Sequence, residues 1–244
     1  MPIKSWHGYC RYRFELIIFG GFLGLNMIVS IPRESRADFF CTFVAITIPF
    51  KDDTMTEKEK LLAGLPYSAT DAELLRELNA CKDIIYQYNQ LLPSKRGERT
   101  ALLKSLLGHV GDDNILINQP FFCDYGSNIS VGKRFFANFN FTVLDEALVT
   151  IGDDCFVGPN VGIYTACHST NPVERNTRVE WGKPVTIGDN VWIGGGVTIL
   201  PGVTIGDNVT IGAGSVVTHD IPSNVIAVGN PCRPIKSVKT DELQ

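Results

Sequence analysis

The feature that most constrains this chain is a six-residue repeat between Val185 and Val217. An aliphatic side chain recurs at every sixth position, at Ile187, Ile193, Ile199, Ile205, Ile211 and Val217. A second small or apolar residue lies two places before each of them, at Val185, Val191, Val197, Val203, Val209 and Ser215. No α-helix has a period of six, whereas a short strand puts alternate side chains on one face and a turn then redirects the chain.

This short fixed period predicts a solenoid of the hexapeptide parallel β-helix type, a mainly β fold. Three strands form one triangular coil of about eighteen residues, and the aliphatic side chains stack inward from coil to coil. Gly188-Asp189-Asn190 and Gly194-Gly195-Gly196 fall at predicted corners, where the backbone needs residues that tolerate positive φ. The step of six continues upstream at Ile117, Cys123 and Ile129, at Val131, Ala137, Val143 and Val149, and at Ile151, Val157 and Ile163.

Size, charge and cysteine usage narrow the function classes. The 244 residues are enough for one main domain with a sizeable core. The net charge of -4 gives no reason to expect nucleic acid or an anionic membrane surface as a partner. Seven cysteines without a C-x-x-C pair suit a reducing compartment, the cytoplasm, and argue against a disulfide framework or a structural zinc site.

Residues 1–54 do not follow the repeat. The segment 14–31 is apolar but is interrupted by Glu15, Asn26 and glycines, and no A-x-A-like cleavage site follows it. We expect an upstream extension that takes no part in the fold, and Met55 is a natural start. The alternative is that residues 14–31 act as a signal or membrane anchor.

Residues 55–110 read as a helical segment that caps the open end of the solenoid. Thr56 with Glu59 and Thr70 with Glu73 fit the capping box, Gly64 can end the first helix, and Pro93 stops the second. The second helix carries apolar residues at helical spacing from Leu74 to Leu92, and a third is predicted over Glu98–Leu107.

The repeat lapses between Ile163 and Val185. A polar segment that interrupts a regular solenoid is most simply a loop extruded from the wall, here residues 164–184. Loops on rigid scaffolds commonly carry the chemistry of a site. We therefore look for functional residues in this loop first.

Residues 55–240 resemble the maltose/galactoside O-acetyltransferase family of hexapeptide acyltransferases. The matching pieces are Leu62-Ala63-Gly64 with Tyr67, Tyr88-Asn89, Phe122-Cys123-Asp124-Tyr125-Gly126, Phe135-Phe136-Ala137-Asn138-Phe139, Tyr164-Thr165-Ala166 with His168, Gly182-Lys183-Pro184 and Gly229-Asn230-Pro231-Cys232-Arg233. The resemblance implies a left-handed β-helix over 111–240 and a helical segment over 55–110. It also implies a homotrimer with three active sites between neighbouring subunits.

The implied activity is transfer of an acetyl group from acetyl-CoA, a co-substrate, to a hydroxyl of a maltose-, glucose- or galactoside-type sugar, without a metal. Such a transfer needs a base for the hydroxyl proton and donors for the developing oxyanion. By the resemblance His168 is the general base, and Asn138 holds the sugar or steadies the transition state. His7 lies in the extension, and we place His109 at a helix end.

The resemblance also assigns binding residues. Those for the acceptor sugar are Asp124, Asn138, Asp145, Glu146 and Glu180, with Tyr67 and Asp71 closing the pocket from above. Those for acetyl-CoA are Trp192 beside the groove, Gly195 near the thioester carbonyl, Ala213 and Thr218 along the pantetheine arm, and Arg233, Lys236 and His219 near the phosphates. His219 stands where relatives often carry lysine, so coenzyme A affinity is expected to depend on pH.

Other functions remain as alternatives. A serine or antibiotic O-acetyltransferase would share the solenoid, although the helical segment favours the sugar branch. A non-catalytic β-helix would not need the His168 loop or the Arg233 tail. A zinc-dependent carbonic anhydrase needs three histidine ligands, and the coils contain only His168 and His219. A nucleotidyltransferase would need a Gly-rich phosphate loop after a strand, which is missing from the sequence.

Overall fold

The chain divides into two compact units, residues 1–54 and 55–244. A computed structural model describes the backbone of residues 17–21, 24–31 and 42–48, and describes residues 55–238 in full. In the first unit β1 (Ile17–Gly21), β2 (Gly24–Ile31) and β3 (Thr42–Ile48) form an antiparallel sheet in the order β1-β2-β3. The described part of segment 14–31 is therefore strand. Across all described residues, every helix is too short or too polar to cross a membrane.

The second unit begins with helices. They are α1 (Glu57–Leu62), α2 (Ala72–Gln90) and α3 (Arg96–Leu106), with the short strand β4 (Tyr67–Ser68) between the first two. The capping box of Thr56 and Glu59 is confirmed, and Gly64 takes a left-handed conformation just past α1.

The predicted capping box of Thr70 with Glu73 is wrong. Asp71 is the N-cap of α2, because its carboxylate accepts hydrogen bonds from the N–H groups of Glu73 and Leu74 at 2.8 and 3.1 Å. An aspartate side chain can satisfy the same free N–H groups as a threonine, and Asp71 directly follows Thr70. His109 does not end a helix either, since it opens the first strand of the solenoid.

The solenoid has three walls, each a sheet of mainly parallel strands. Wall 1 contains β5 (His109–Val110), β8 (Ile129–Val131), β11 (Val149–Ile151), β16 (Val185–Ile187) and β19 (Thr204–Ile205). Wall 2 contains β6 (Leu116–Ile117), β9 (Phe136–Ala137), β12 (Phe156–Val157), β17 (Trp192–Ile193), β20 (Thr210–Ile211), β22 (Val225–Gly229) and the antiparallel β23 (Cys232–Ser237). Wall 3 contains β7 (Phe121–Cys123), β10 (Phe141–Leu144), β13 (Gly162–Tyr164), β18 (Thr198–Ile199) and β21 (Val216–Val217).

The strand register stacks the repeat positions on one another, as the period predicts. Ile163 pairs with Ile199, and Ile199 with Val217, along wall 3. All six aliphatic positions between 187 and 217 are at most 1 % exposed, and the residues two places earlier are also buried. Cys81, Ile85 and Tyr88 of α2 join the same apolar core, so the helix closes the open end of the column.

The chain turns at three kinds of corner. The first corner joins wall 1 to wall 2, the second joins wall 2 to wall 3, and the third joins wall 3 to wall 1. At the first corner the Asp153, Asp189 and Asp207 carboxylates each accept the N–H of the residue stacked below, at 2.7–2.8 Å. These stacked carboxylates accept hydrogen bonds from N–H groups in the turns, which have no partner in a neighbouring strand.

The predicted loop 164–184 leaves the solenoid at the third corner. It contains β14 (Ala166–His168), the short helix α4 (Pro172–Arg175) and β15 (Val179–Gly182). Strands β14 and β15 form an antiparallel hairpin, and β15 also pairs with β4. The loop is thereby tied to the helical segment.

Candidate active site

The centre of the candidate site is a row of three side chains on the β14-β15-β4 sheet. His168 stands opposite Glu180, and Glu180 stands opposite Tyr67. The His168 Nδ1 atom lies 3.4 Å from Glu180 Oε2, and the Tyr67 hydroxyl donates to Glu180 Oε1 at 2.7 Å. The His168 side chain is 54 % exposed and that of Glu180 only 16 %, so a partly buried carboxylate holds an accessible imidazole.

Tight backbone packing fixes this sheet against the solenoid. The Lys183 N–H donates to the Thr165 carbonyl at 2.9 Å, which closes the base of the hairpin. A Cβ atom on Gly182 would lie 2.7 Å from the Ala147 Cβ and 2.9 Å from the Glu146 carbonyl oxygen, so only glycine allows this approach. This contact packs the hairpin directly against residues 146 and 147 at the third corner.

The third corner also carries three carboxyl side chains, Asp124, Asp145 and Glu146, which we call the carboxyl cluster. Asp145 is fully buried, and its Oδ1 accepts the N–H groups of Asp124 and Tyr125 at 3.0 and 2.9 Å. Burial raises the pKa of Asp145 to about 6, although these two amides oppose the shift. Its Oδ2 atom is buried without a hydrogen-bond partner among the described residues.

Glu146 is the more strongly perturbed member of the carboxyl cluster. It is 9 % exposed, and its Oε2 is also buried without a partner among the described residues. Burial first, and then the charge of Asp124 and a hydrogen bond to its carboxyl group, raise the pKa of Glu146 to about 8. Two neighbouring carboxylates cannot both ionise cheaply, so Glu146 carries a proton at neutral pH and can donate it in a hydrogen bond.

Two tyrosines border the cluster. Burial, followed by the hydrogen bond to Glu180, raises the pKa of Tyr67 well above its usual value. Burial and then the charges of Glu146 and Asp124 raise the pKa of Tyr125. Both phenols therefore stay protonated, and the third corner offers hydroxyl and carboxyl groups with hydrogen-bond donors and acceptors side by side.

Asn138, Gly195 and Ala213 lie at the second corner instead. The Asn138 carboxamide oxygen accepts the N–H of Phe139 at 2.8 Å, as a turn residue does, and lies 3.5 Å from the Asn118 amide nitrogen. The N–H groups of Gly194 and Gly196 donate to carbonyls of the neighbouring coils, those of Ile211 and Pro159, whereas no acceptor for the Gly195 N–H is found among residues 55–238. A Cβ on Gly158 would lie 2.5 Å from the Gly195 nitrogen, so Gly158 leaves room around that amide.

The remaining predicted cofactor residues occupy the upper coils. Trp192 on wall 2 is 58 % exposed, which leaves a broad aromatic face available to a ligand. The Thr218 hydroxyl and His219 Nδ1 are 2.8 Å apart at the third corner. Arg233 and Lys236 are exposed on β23, beside β22. Within one chain, the predicted cofactor residues therefore do not all lie at one corner, and neither do His168 and Asn138.

Comparisons with known proteins identify the family of this chain. The maltose acetyltransferase hexapeptide capping motif matches residues 60–111, a succinyl-transferase hexapeptide repeat matches 148–168, and the six-repeat bacterial transferase hexapeptide matches 184–219. The chain is 42 % identical to the galactoside O-acetyltransferase of Escherichia coli K12, over 75 % of this chain and 90 % of that protein. The chain belongs to the maltose/galactoside O-acetyltransferase family.

Solved structures of two acetyltransferases of this family match about three quarters of the chain. A maltose O-acetyltransferase from Clostridium difficile 630 is 52 % identical, covers 77 % of this chain and all of its own, and has a TM-score of 0.74. A galactoside acetyltransferase in complex with coenzyme A is 41 % identical, covers 76 % and 92 %, and has a TM-score of 0.73. The resemblance inferred from the sequence is confirmed, and so is the β-helix with its helical segment.

Within the maltose/galactoside O-acetyltransferase fold, some site residues take roles that the sequence did not indicate. Asp71 uses its carboxylate to cap α2, and Glu180 contacts His168 and Tyr67. The sequence did not indicate Tyr125 or Gly158 as site residues, although Tyr125 directly follows Asp124. The six-residue repeat does not indicate Gly158, because its role depends on its close approach to Gly195 in the next coil. Residues 55–238 contain no group of three His, Cys, Asp or Glu side chains arranged to hold a metal.

Proposed function

We propose that this acetyltransferase moves the acetyl group of acetyl-CoA to a hydroxyl of a sugar, of the maltose, glucose or galactoside type. The observation that carries the proposal is the row of His168, Glu180 and Tyr67 beside the carboxyl cluster. It puts an accessible imidazole next to groups that suit a polyhydroxylated acceptor. The names of the relatives, maltose and galactoside O-acetyltransferase, support the same acceptor class.

His168 acts as the general base in this proposal. Glu180 faces Nδ1, so it favours the tautomer with the proton on Nδ1 and leaves Nε2 free to accept a proton. Nε2 takes the proton of the acceptor hydroxyl as its oxygen attacks the thioester carbonyl carbon. When the tetrahedral intermediate collapses, the carbon–sulfur bond breaks and the coenzyme A sulfur receives that proton from His168.

The oxyanion of the intermediate needs hydrogen-bond donors that are already in place. The Gly195 N–H has no acceptor among residues 55–238, which suits it to this role. The Asn138 amide lies at the same corner and is proposed to hold the sugar or assist. Trp192, Ala213, Thr218, His219, Arg233 and Lys236 are proposed to bind coenzyme A, with the cations at its phosphates.

The division of the site between two corners favours an assembly of copies. His168 and the carboxyl cluster lie at the third corner, while Asn138 and Gly195 lie at the second corner of the same triangle. A single solenoid does not bring opposite corners together, but the second corner of a neighbouring copy can complete the third. We therefore propose a homotrimer with one site between each pair of subunits.

The proposed setting is the cytoplasm. All five cysteines within residues 55–238 are free thiols, which suits a reducing compartment. We further propose that the unit 55–240 is the enzyme, with 55–110 as its helical segment and 111–240 as the solenoid, and that residues 1–54 lie outside the catalytic fold.

The test is release of the coenzyme A thiol by the purified full chain. Acetyl-CoA is offered with glucose, maltose, a galactoside, serine and chloramphenicol. Sugar-dependent release is expected, together with a loss of at least a hundredfold in His168→Ala and full activity in the matched control His109→Ala. Release with serine or chloramphenicol alone would replace the sugar proposal, and unchanged activity of His168→Ala would refute the assigned base.

A further inference from the structure

Thr165 is a polar residue on the inward face of the solenoid, at the point where the extruded loop leaves the wall. Val161 and Ile163 belong to the buried core, and the alternation of side chains along a strand puts Thr165 on the same face. Thr165 is fully buried. A hydroxyl in an apolar interior is costly unless it is hydrogen-bonded, so its partners indicate what it does.

Both hydrogen bonds of this hydroxyl hold the turn that carries two members of the carboxyl cluster. The Thr165 Oγ1 atom donates to the Leu144 carbonyl and accepts the Ala147 N–H, each at 2.8 Å. Asp145 and Glu146 are the two residues between these partners. Within the described part of the chain, the Ala147 N–H has no other acceptor. The hydroxyl therefore clamps the turn at both of its ends.

The backbone of Thr165 holds the hairpin that carries His168. The Thr165 carbonyl accepts the Lys183 N–H at 2.9 Å at the base of the hairpin, and His168 lies three residues further along the chain. One residue therefore contacts both the turn with the carboxyl groups and the hairpin with the imidazole. A small displacement between the two would change how an acceptor hydroxyl meets His168.

The coil below repeats this arrangement. The residues before Thr165 and Asp145 are paired in the strand register, so Asp145 lies one coil below Thr165. The Asp145 Oδ1 atom accepts the N–H groups of Asp124 and Tyr125. Thr165 thus holds the turn of Asp145, and Asp145 holds the turn of Asp124. All three carboxyl groups are tied through Thr165 to the hairpin.

We propose that Thr165 is a positioning residue, which sets the carboxyl cluster at the distance from His168 that an acceptor needs. The inference rests on the proposed sugar O-acetyltransferase activity and adds a residue whose hydroxyl is already engaged within the fold. It acts through Glu146 in particular, because Glu146 directly precedes the Ala147 N–H that the hydroxyl holds. Binding of acetyl-CoA does not depend on it, since the residues proposed for that ligand lie at the second corner and on the upper coils.

The first experiment separates the two substrates. Thr165→Val removes the hydroxyl and keeps the shape of the side chain. With the most active sugar of the acceptor panel, we expect the KM for the sugar to rise three- to tenfold, about the loss of one hydrogen bond to the acceptor. The KM for acetyl-CoA is expected to stay within twofold. Thr165→Ser retains the hydroxyl and should keep both values within twofold of the wild type.

The matched control is Thr186→Val, which makes the same exchange at an exposed threonine of wall 1 and should change neither KM. A smaller folded fraction of Thr165→Val would lower kcat alone, so the rise in the sugar KM is the result that a merely structural role does not produce. An unchanged sugar KM, or an equal rise in both KM values, would overturn the proposal.

A double-mutant cycle tests the route through Glu146. Adding Thr165→Val to Glu146→Ala is expected to change the sugar KM by less than twofold, because the contact that the hydroxyl positions is already lost. If the two substitutions multiplied their separate effects, Thr165 would not act through Glu146 and the proposal would fail.

A third measurement needs no acceptor. Hydrogen exchange followed by mass spectrometry reports on the N–H groups of residues 145–148. In Thr165→Val their exchange is expected to accelerate at least tenfold, while that of β18 is unchanged and Thr165→Ser matches the wild type. A wild type that acetylates no sugar would refute the proposed function, and hydrogen exchange alone would then decide whether the hydroxyl holds the turn. Unchanged exchange in Thr165→Val would overturn the clamp.

Discussion

Glu146→Gln is predicted to stabilise the protein at neutral pH. The folded state raises the pKa of Glu146 from 4.5 to about 8, chiefly because the side chain is buried. Between these two values the folded chain holds a proton that the unfolded chain releases. Stability therefore falls as pH rises through this window, and it is fully present only below the unfolded value. Glutamine resembles the protonated glutamate, so the substitution removes this loss.

The magnitude follows from the shift. One pKa unit corresponds to about 1.36 kcal/mol, and pH 7 lies about 2.5 units above the unfolded pKa of 4.5, so protonating Glu146 on folding at pH 7 costs about 3 kcal/mol of unfolding free energy. The side chain is 9 % exposed, so solvent screening reduces this figure little. We expect Glu146→Gln to match the wild type near pH 4.5 and to exceed it by up to about 3 kcal/mol at pH 7.

Urea unfolding at a series of pH values, at one fixed protein concentration, measures this difference. The fixed concentration matters because subunit association also contributes to apparent stability. Glu98→Gln is the matched control, since the Glu98 side chain is 58 % exposed and its loss should change stability by less than about 0.5 kcal/mol. A stability gap between Glu146→Gln and wild type that did not vary with pH would refute the reasoning.

Three further predictions concern single side chains. Asp71→Ala should lower the free energy of unfolding, measured in urea, by about 1 kcal/mol, while Thr70→Ala leaves it unchanged. A larger loss in Thr70→Ala than in Asp71→Ala would show that Thr70 is the N-cap instead. Ile199 is fully buried in wall 3, so Ile199→Ala should lower the free energy of unfolding by about 2–5 kcal/mol in the same measurement. Thr198 faces outward, so Thr198→Ala should lower it by well under 1 kcal/mol. Equal losses in the two variants would contradict the inward stacking of the isoleucines. His219→Lys should bind coenzyme A about two- to fivefold more tightly at neutral pH and reduce the pH dependence of its affinity in calorimetric titrations. An unchanged dissociation constant would remove His219 from the phosphate site.

The solenoid could be predicted because its signal is local and repeated. Each coil contributes the same inward pair of residues, so the position of Ile187 predicts that of Ile205 one coil later, and the pairing of the two is observed. The extruded loop could be located for the complementary reason, since the period stops after Ile163 and resumes at Val185. The N-cap of α2 was missed because Thr70 and Asp71 are both competent caps and only the path of the chain selects one.

For the candidate site, the sequence indicated candidate residues but not the contacts between them. The identity of His168 followed from the motif around it, and its exposed position is as expected for a base. Its pairing with Glu180 depends on the register of the β14–β15 hairpin, and the pairing of Glu180 with Tyr67 depends on an antiparallel register between segments 113 residues apart. No local pattern specifies such a register, because it is set by how the hairpin packs on the helical segment.

What the sequence alone determined is the repeat, the inward column, the position of the loop and the family. These properties follow from side-chain alternation and turn chemistry over a few residues, which the linear order records directly. Only the tertiary structure decided which carboxyl groups are buried together, which glycine leaves the Gly195 amide clear and which corner carries each group. Those properties depend on residues from different coils meeting in space, and the free energy of burying Asp145 and Glu146 arises only when they meet.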